Sequence, residues 1–363
     1  MELFQLQFMS NSIRGRGAQK KHHNRFNEYR HEVRDDYLQF CELEGEDSDD
    51  NRTKFQQVFP KSFVNKIVSP DVPMEYSANP YQGCEHGCVY CYARNSHQYW
   101  GFGPGVDFER NILVKSNAAE LLEKTIRAKN WKGSTIVFSG NTDCYQPIER
   151  KLGITRKCLQ VMARWKHPVG IITKNALVLR DVDLLSELAQ INAAAVHLSI
   201  PTLSESTRRV MEPRTSSIKN RLKAVEELTK NGVPVNVMMA PIIPGINSHE
   251  ILELAKSASE AGANSFIHTL VRLNGSIAEI FTDWINKAYP DKANRVLSLI
   301  AQCHEGSLSD NQFGRRMSGS GPVAKQIAQT VKLARRQYFK PIEFPKLDNS
   351  HFLELQNPQT SLF

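Results

Sequence analysis

Residues 134–174 read STIVFSGNTDCYQPIERKLGITRKCLQVMARWKHPVGIITK, and their internal rhythm decides the fold. STIVFSG (134–140) and HPVGIITK (167–174) are short runs rich in β-branched residues, marked off by Gly, Pro and Ser as buried strands are. Between them, 153–166 carries apolar residues at helical spacing. A strand, a helix and a strand with short connections make a right-handed βαβ unit with parallel strands. The pattern continues outward through AAAVHLSI (193–200), PVNVMMAP (234–241) and NSFIHTL (264–270), with helices expected at 181–190, 218–231 and 248–261. An initial strand is expected near EYSANP (75–80). About six parallel strands predict an α/β fold, a partial (βα)6 barrel, with a doubly wound open sheet as the alternative.

The flanks read differently. Residues 1–55 lack periodicity and divide into a basic half (RGRGAQKKHHNRF) and an acidic half, so a charged, partly disordered N-terminal arm is expected there. The barrel is assigned to 56–275, a helical C-terminal extension to 276–340 and a loose tail to 341–363. The extension includes a Gly-rich interruption, GRRMSGSG (314–321), and a basic helix beginning at Ala324.

Composition narrows the function. With 40% hydrophobic and 23% charged residues among 363, and no apolar run near the roughly 20 residues that span a bilayer, no membrane span is expected. The first residues carry no secretory pattern, which points to the cytoplasm, where thiols stay reduced. The net charge is +8, yet ELEGEDSDD (42–50) holds six carboxylates, leaving the remainder near +14. That balance suits a solvated surface or a phosphate-bearing partner such as nucleic acid.

The unusual motifs fall at the carboxyl ends of the expected strands, where such folds place their sites. Foremost is NPYQGCEHGCVYCYARN (79–95), which puts Cys84, Cys88 and Cys91, three of seven cysteines, in one loop after the first strand. Gly83 and Gly87 make this a loop and not a core segment. A structural zinc site wants four ligands, commonly from paired hooks, and would need His86 or His97 to complete it. Three thiolates suit three irons of a [4Fe–4S] cluster, with the fourth iron open to an outside ligand.

Cys84-x3-Cys88-x2-Cys91, with Tyr90 before the last cysteine, resembles the signature loop of the radical S-adenosylmethionine (SAM) superfamily. NTDCYQPIE, ITKN and MEPRT are most similar to its spore photoproduct lyase-related branch. The resemblance implies a [4Fe–4S] cluster on Cys84, Cys88 and Cys91 that binds SAM through the open iron. It also implies an electron donor of the flavodoxin or ferredoxin type, reductive cleavage of SAM and hydrogen abstraction from a substrate. Nucleic-acid modification or repair is the alternative activity; a non-catalytic metal-binding module on nucleic acid is the alternative of another class.

Carried onto the other strand ends, the resemblance gives Thr142 and Asp143 for the SAM amino group, Lys174 for its carboxylate and Ser199 for the ribose. Ile243 and Gly245 would line the adenine. Glu212 and Arg214 stand two apart in MEPRT and suit either a ligand clamp, with Arg214 on a carboxylate, or a structural ion pair. The lyase has its hydrogen-donor cysteine just before its Ser-Asp pair, where this chain has Gly140, which argues against a strict thymine-dimer lyase. Cys144 follows the pair and is expected either to donate a hydrogen atom or to fill space beneath the loop. Cys41, Cys158 and Cys303 are read as packing or surface thiols.

Overall fold

In the computed structural model, which describes residues 13–27, 52–341 and 343–356, the βα rhythm becomes one sheet. Its parallel strands are β3 (Tyr76–Ala78), β6 (Ile136–Phe138), β7 (Val169–Thr173), β8 (Ala194–Ser199), β9 (Val235–Ile242) and β10 (Ser265–Leu270), with β2 (Val64–Lys66) antiparallel on the β3 edge. The sheet order is β10-β9-β8-β7-β6-β3-β2. Sequential order without reversal excludes the doubly wound alternative, because every right-handed crossover then returns on the same side. β10 and β2 do not pair, so the barrel is partial.

Helices follow the strands in turn: α1 (Ala118–Ile126), α2 (Ile154–Arg164), α3 (Val182–Gln190), α4 (Ile218–Lys230) and α5 (Ile251–Glu260). Alternation along β8 buries Val196 and Leu198 in the main core and leaves Ala195, His197 and Ser199 on the other face. Leu159 and Met162 of α2, Leu185 and Leu188 of α3 and Leu228 of α4 complete that core. Each such side chain contributes about 1.5–3 kcal/mol by leaving water.

Two features escape the periodicity. A second sheet, β1 (Lys54–Val58), β5 (Asn111–Lys115) and β4 (Tyr81–Gln82), stands beside the loop that carries the cysteines. The described parts of the N-terminal arm and of the tail are also better anchored than their composition suggests. Within the N-terminal arm, residues 1–12 and 28–51 lie outside the described residues, but Arg16, Ala18 and Asn24 are buried. In the tail, the helix Ser350–Gln356 buries Phe352 against His167, at 4.7 Å between rings, so this part is docked instead of loose.

The C-terminal extension, α6 (Ile277–Ala288), α7 (Ala293–Cys303) and α8 (Gly321–Tyr338), is part of the site's support. Phe281, Trp284, Ile285, Val296 and Ile300 form a second apolar cluster with Cys88, Val89, Tyr90 and Ile243. The Trp284 indole N–H donates to the Val210 carbonyl at 2.9 Å, tying α6 to the short helix Glu205–Met211.

Candidate active site

The cysteine loop is held by its glycines and by one buried arginine. Gly83 (φ +79°) starts it where a Cβ would stand 2.7 Å from the Asn111 carbonyl, and Gly87 (φ +70°) turns it where a Cβ would meet the Glu109 carboxylate at 2.9 Å. The Cys84 N–H donates to the Phe108 carbonyl at 2.9 Å, and the Val89 N–H to the Met211 carbonyl at 3.1 Å. Arg94 is fully buried. Its Nε and Nη2 donate to the Cys88 carbonyl at 3.0 and 2.9 Å, and its Nη1 to the Pro104 and Gly105 carbonyls at 3.2 and 3.0 Å.

Charge on Arg94 is balanced by Glu109, whose Oε1 lies 2.5 Å from Nη2. The same carboxylate accepts the N–H groups of Gly17 and Ala18 at 3.0 and 2.8 Å, while Arg16 Nη1 donates to the Glu109 carbonyl at 2.7 Å. The N-terminal segment is thereby strapped over the loop. Gly17 lies so close that a Cβ there would come within 1.7 Å of the Gly87 carbonyl oxygen.

Cys84 and Cys88 are buried and Cys91 is partly exposed; Cys91 packs with both the Cys84 and the Cys88 apolar groups. Burial raises the Cys88 thiol pKa, with the Glu212 charge adding to it and Lys174 opposing; burial also raises that of Cys91. Thiols so placed become thiolates when iron binds them. Among the described residues no three His, Cys, Asp or Glu side chains converge on a point that would hold a single metal ion. A cubane takes one thiolate per iron, so its ligands stand around a body, and three thiols on one rigid loop fit that requirement.

Beside the loop is a buried charge network. Glu212 Oε2 accepts from Arg221 Nη2 at 2.7 Å, both side chains being fully buried, and Glu212 Oε1 accepts the Tyr90 hydroxyl. Burial opposes ionisation of Glu212, but Arg221, Lys174 and Tyr90 outweigh it and hold the carboxyl below its usual range. Lys174 Nζ lies 5.9 Å from the centre of the Tyr90 ring. Burial favours its neutral form, yet Glu212, Cys88 and Asp143 outweigh that and raise its pKa. A charged ammonium thus lies over the ring of Tyr90, the residue before Cys91.

The other candidate residues divide into those joined to this network and those apart from it. Asp143 accepts from Thr173 Oγ1, the Lys174 N–H and the Tyr145 N–H, each at 2.8 Å, and lies 3.4 Å from His86 Nδ1. Its oxygens bind β7 and the cysteine loop together. Ser199 is buried, and its carbonyl accepts from Arg221 Nη1 at 2.9 Å. Ile243 shares the apolar cluster of Cys88 and Tyr90. Thr142 is turned to the Tyr81 carbonyl at 2.5 Å, and Gly245 (φ +82°) is an exposed turn residue beside Val296 and Leu299. Cys144 is fully buried in the main core with Tyr145 and Cys158, not in the apolar groups of the cluster cysteines.

Glu212 and Arg214 do not pair. Arg214 Nη2 binds Glu85 Oε1 at 3.0 Å, and Glu212 takes Arg221. His97 is buried between Phe102 and Phe108, at ring distances of 5.1 and 5.5 Å. Sequence reasoning missed Arg94, Glu109 and Arg221. Arg94 and Glu109 stood in plain view near Cys91, but nothing local signals that they meet.

Residues 78–258 match the model of the radical SAM superfamily. An uncharacterised protein of Mycobacterium tuberculosis is 31% identical over 68% of this chain and 73% of its own length. A radical SAM Nα-GlyT isomerase of Pseudomonas phage M6 is 22% identical over 63% of this chain and 46% of its own. Among solved structures, spore photoproduct lyase complexed with dinucleoside spore photoproduct superposes with a TM-score of 0.58 at 18% identity, covering 78% of this chain and 79% of that one.

Proposed function

The chain belongs to the radical SAM superfamily and is an enzyme, and we propose that it holds a [4Fe–4S] cluster on Cys84, Cys88 and Cys91 and cleaves SAM reductively. The observation that carries this reading is the fastening of a three-thiol loop, by Arg94, Glu109 and the N-terminal strap, beside the charged Lys174. When bound, the cluster supplies the electron that splits SAM into methionine and a 5′-deoxyadenosyl radical.

The chain's own residues bind and orient. Lys174, charged and with no ion pair or hydrogen bond of its ammonium among the described residues, suits the SAM carboxylate. Ile243 offers an apolar wall for the adenine, and Ser199 a hydroxyl for the ribose. Glu212 and Arg221 hold the Tyr90 hydroxyl and the Ser199 carbonyl and so fix the cluster loop against β8. Asp143 and Thr142 act as positioning residues, because their oxygens already serve the protein. The packing of Cys144 favours a filling role over hydrogen donation.

A cytoplasmic setting, where thiols stay reduced, suits the three free cysteines of the loop, with a flavodoxin- or ferredoxin-like reductant as electron donor. Action on nucleic acid is a second reading, favoured by the exposed rings of Phe26 and Tyr99 under Arg25, at 4.7 and 5.7 Å. The test is anaerobic reconstitution with iron and sulfide. About four irons per chain and reductant-dependent 5′-deoxyadenosine are expected; colourless protein loaded with zinc would overturn the reading.

A further inference from the structure

Building on that reading, we propose that Arg272 anchors an anionic group, phosphate or carboxylate, of the enzyme's substrate. Arg272 follows β10, where the chain is pinned on both sides: the Val271 N–H donates to the Ile242 carbonyl and the Leu273 N–H to the Leu308 carbonyl, each at 2.9 Å. Val271 and Leu273 bury their side chains in the apolar cluster of Cys88 and Tyr90. Alternation turns Arg272 away from that cluster.

Around Arg272 lies the open seam of the barrel, which the Gly-rich loop crosses. The Leu270 N–H donates to the Met317 carbonyl at 3.0 Å, while Arg316 donates from Nε to Asp71 and from Nη2 to Ser69, each at 2.6 Å. Tyr92, next to Cys91, is half exposed, donates its hydroxyl to the Gly140 carbonyl at 2.8 Å and couples electrostatically with Arg272. The seam therefore adjoins the turn that carries the cluster cysteines.

Arg272 is unsatisfied there. Its guanidinium makes no hydrogen bond or ion pair among the described residues, and Nη1 is buried without a partner. The carboxylates within electrostatic range are engaged, Asp71 by Gly314 N and Arg316 Nε and Asp310 by Gln312 N and Arg315 Nε. Burial and the Arg316 charge both push the Arg272 pKa down. A planar fork left in this state matches an incoming carboxylate or phosphate. Asn274, two residues on, and Asn95, whose Nδ2 donates to the Asn274 carbonyl at 2.8 Å, each keep a buried Oδ1 without a donor. The ligand fitting this set carries an anionic group with a hydroxyl or amine close by.

The test compares the full-length wild-type chain, Arg272→Gln and Arg272→Lys by thermal unfolding at constant ionic strength, titrated separately with inorganic phosphate and with acetate. One anion should raise the wild-type Tm, phosphate marking a phosphorylated substrate and acetate a carboxylate. Arg272→Gln should weaken the apparent affinity about tenfold, and Arg272→Lys by less. Without anion, Arg272→Gln should unfold no lower than wild type, because it removes an unpaired charge. Three results each overturn the proposal: no response of the wild type to either anion, an undiminished response in Arg272→Gln, or a markedly lower Tm of Arg272→Gln without anion. Iron content and SAM cleavage of the wild type are read separately, so a failed functional reading and a failed anion site give different patterns.

Discussion

Replacing Arg94 by Met tests how the cysteine loop is held. Met is an unbranched apolar side chain two atoms shorter than arginine, so the change removes the charge and all the donors together while keeping most of the apolar stem. Lost are the bonds to the carbonyls of Cys88, Pro104 and Gly105 and the ion pair with the fully buried Glu109. Breaking a buried pair from one side costs about 3–5 kcal/mol, because the remaining charge stays in the interior. Gly17 and Ala18 still donate to Glu109, which softens the loss toward the lower figure. Against a total stability of about 5–15 kcal/mol, a loss of about 3 kcal/mol is large. Urea unfolding of the iron-free chain measures it directly, and iron content after reconstitution measures the effect on the loop. A loss below about 1 kcal/mol with full iron content would refute the fastening role, since even one unsatisfied buried carbonyl reaches that figure.

Other perturbations follow from the same contacts. Gly17→Ala drives a Cβ into the Gly87 carbonyl and should lift the strap, costing about 1–3 kcal/mol and lowering iron retention; wild-type behaviour would deny the strap its place. Lys115 is buried with no side-chain hydrogen bond or ion pair among the described residues, and burial brings its pKa down from 10.5 to about 8. Between those values the unfolded chain holds the proton and the folded chain does not, so this group makes stability rise with pH from about 8 to 10.5. Lys115→Met should stabilise the protein by about 2–3 kcal/mol at pH 7 and flatten that rise, and a destabilised variant would contradict it. Cys144→Ala should cost about 1–2 kcal/mol in unfolding with iron content and product unchanged, whereas an altered product would restore the hydrogen-donor role.

The repeating strands and helices were legible because each is short, apolar and bounded by turn residues. Expected and observed strands differ by at most two residues at either end, as with 134–140 against Ile136–Phe138. That three cysteines share one loop was legible from their spacing and from Gly83 and Gly87. What escaped was nonlocal. Lys54–Val58 reads as a polar stretch, and its partner β5 lies more than fifty residues away. The strap looked like a charged arm because its anchor, Glu109, stands more than ninety residues downstream of Gly17. The tail was expected to be loose because the docking of Phe352 on a partner such as His167 leaves no local trace in the sequence. Strand-end positions could be singled out from the sequence, but not which way their atoms face: Asp143 and Thr142 turn their oxygens into the protein, and Arg214 turns to Glu85 instead of Glu212.

The central claim is that three thiols of one loop carry the chemistry. It is tested most directly by counting 5′-deoxyadenosine formed from SAM under a strong reductant, in the anaerobically reconstituted wild type and in Cys84→Ala, Cys88→Ala and Cys91→Ala separately. The account predicts about four irons and reductant-dependent product in the wild type, and neither stable cluster nor product in any of the three variants. Undiminished product in even one variant would contradict it.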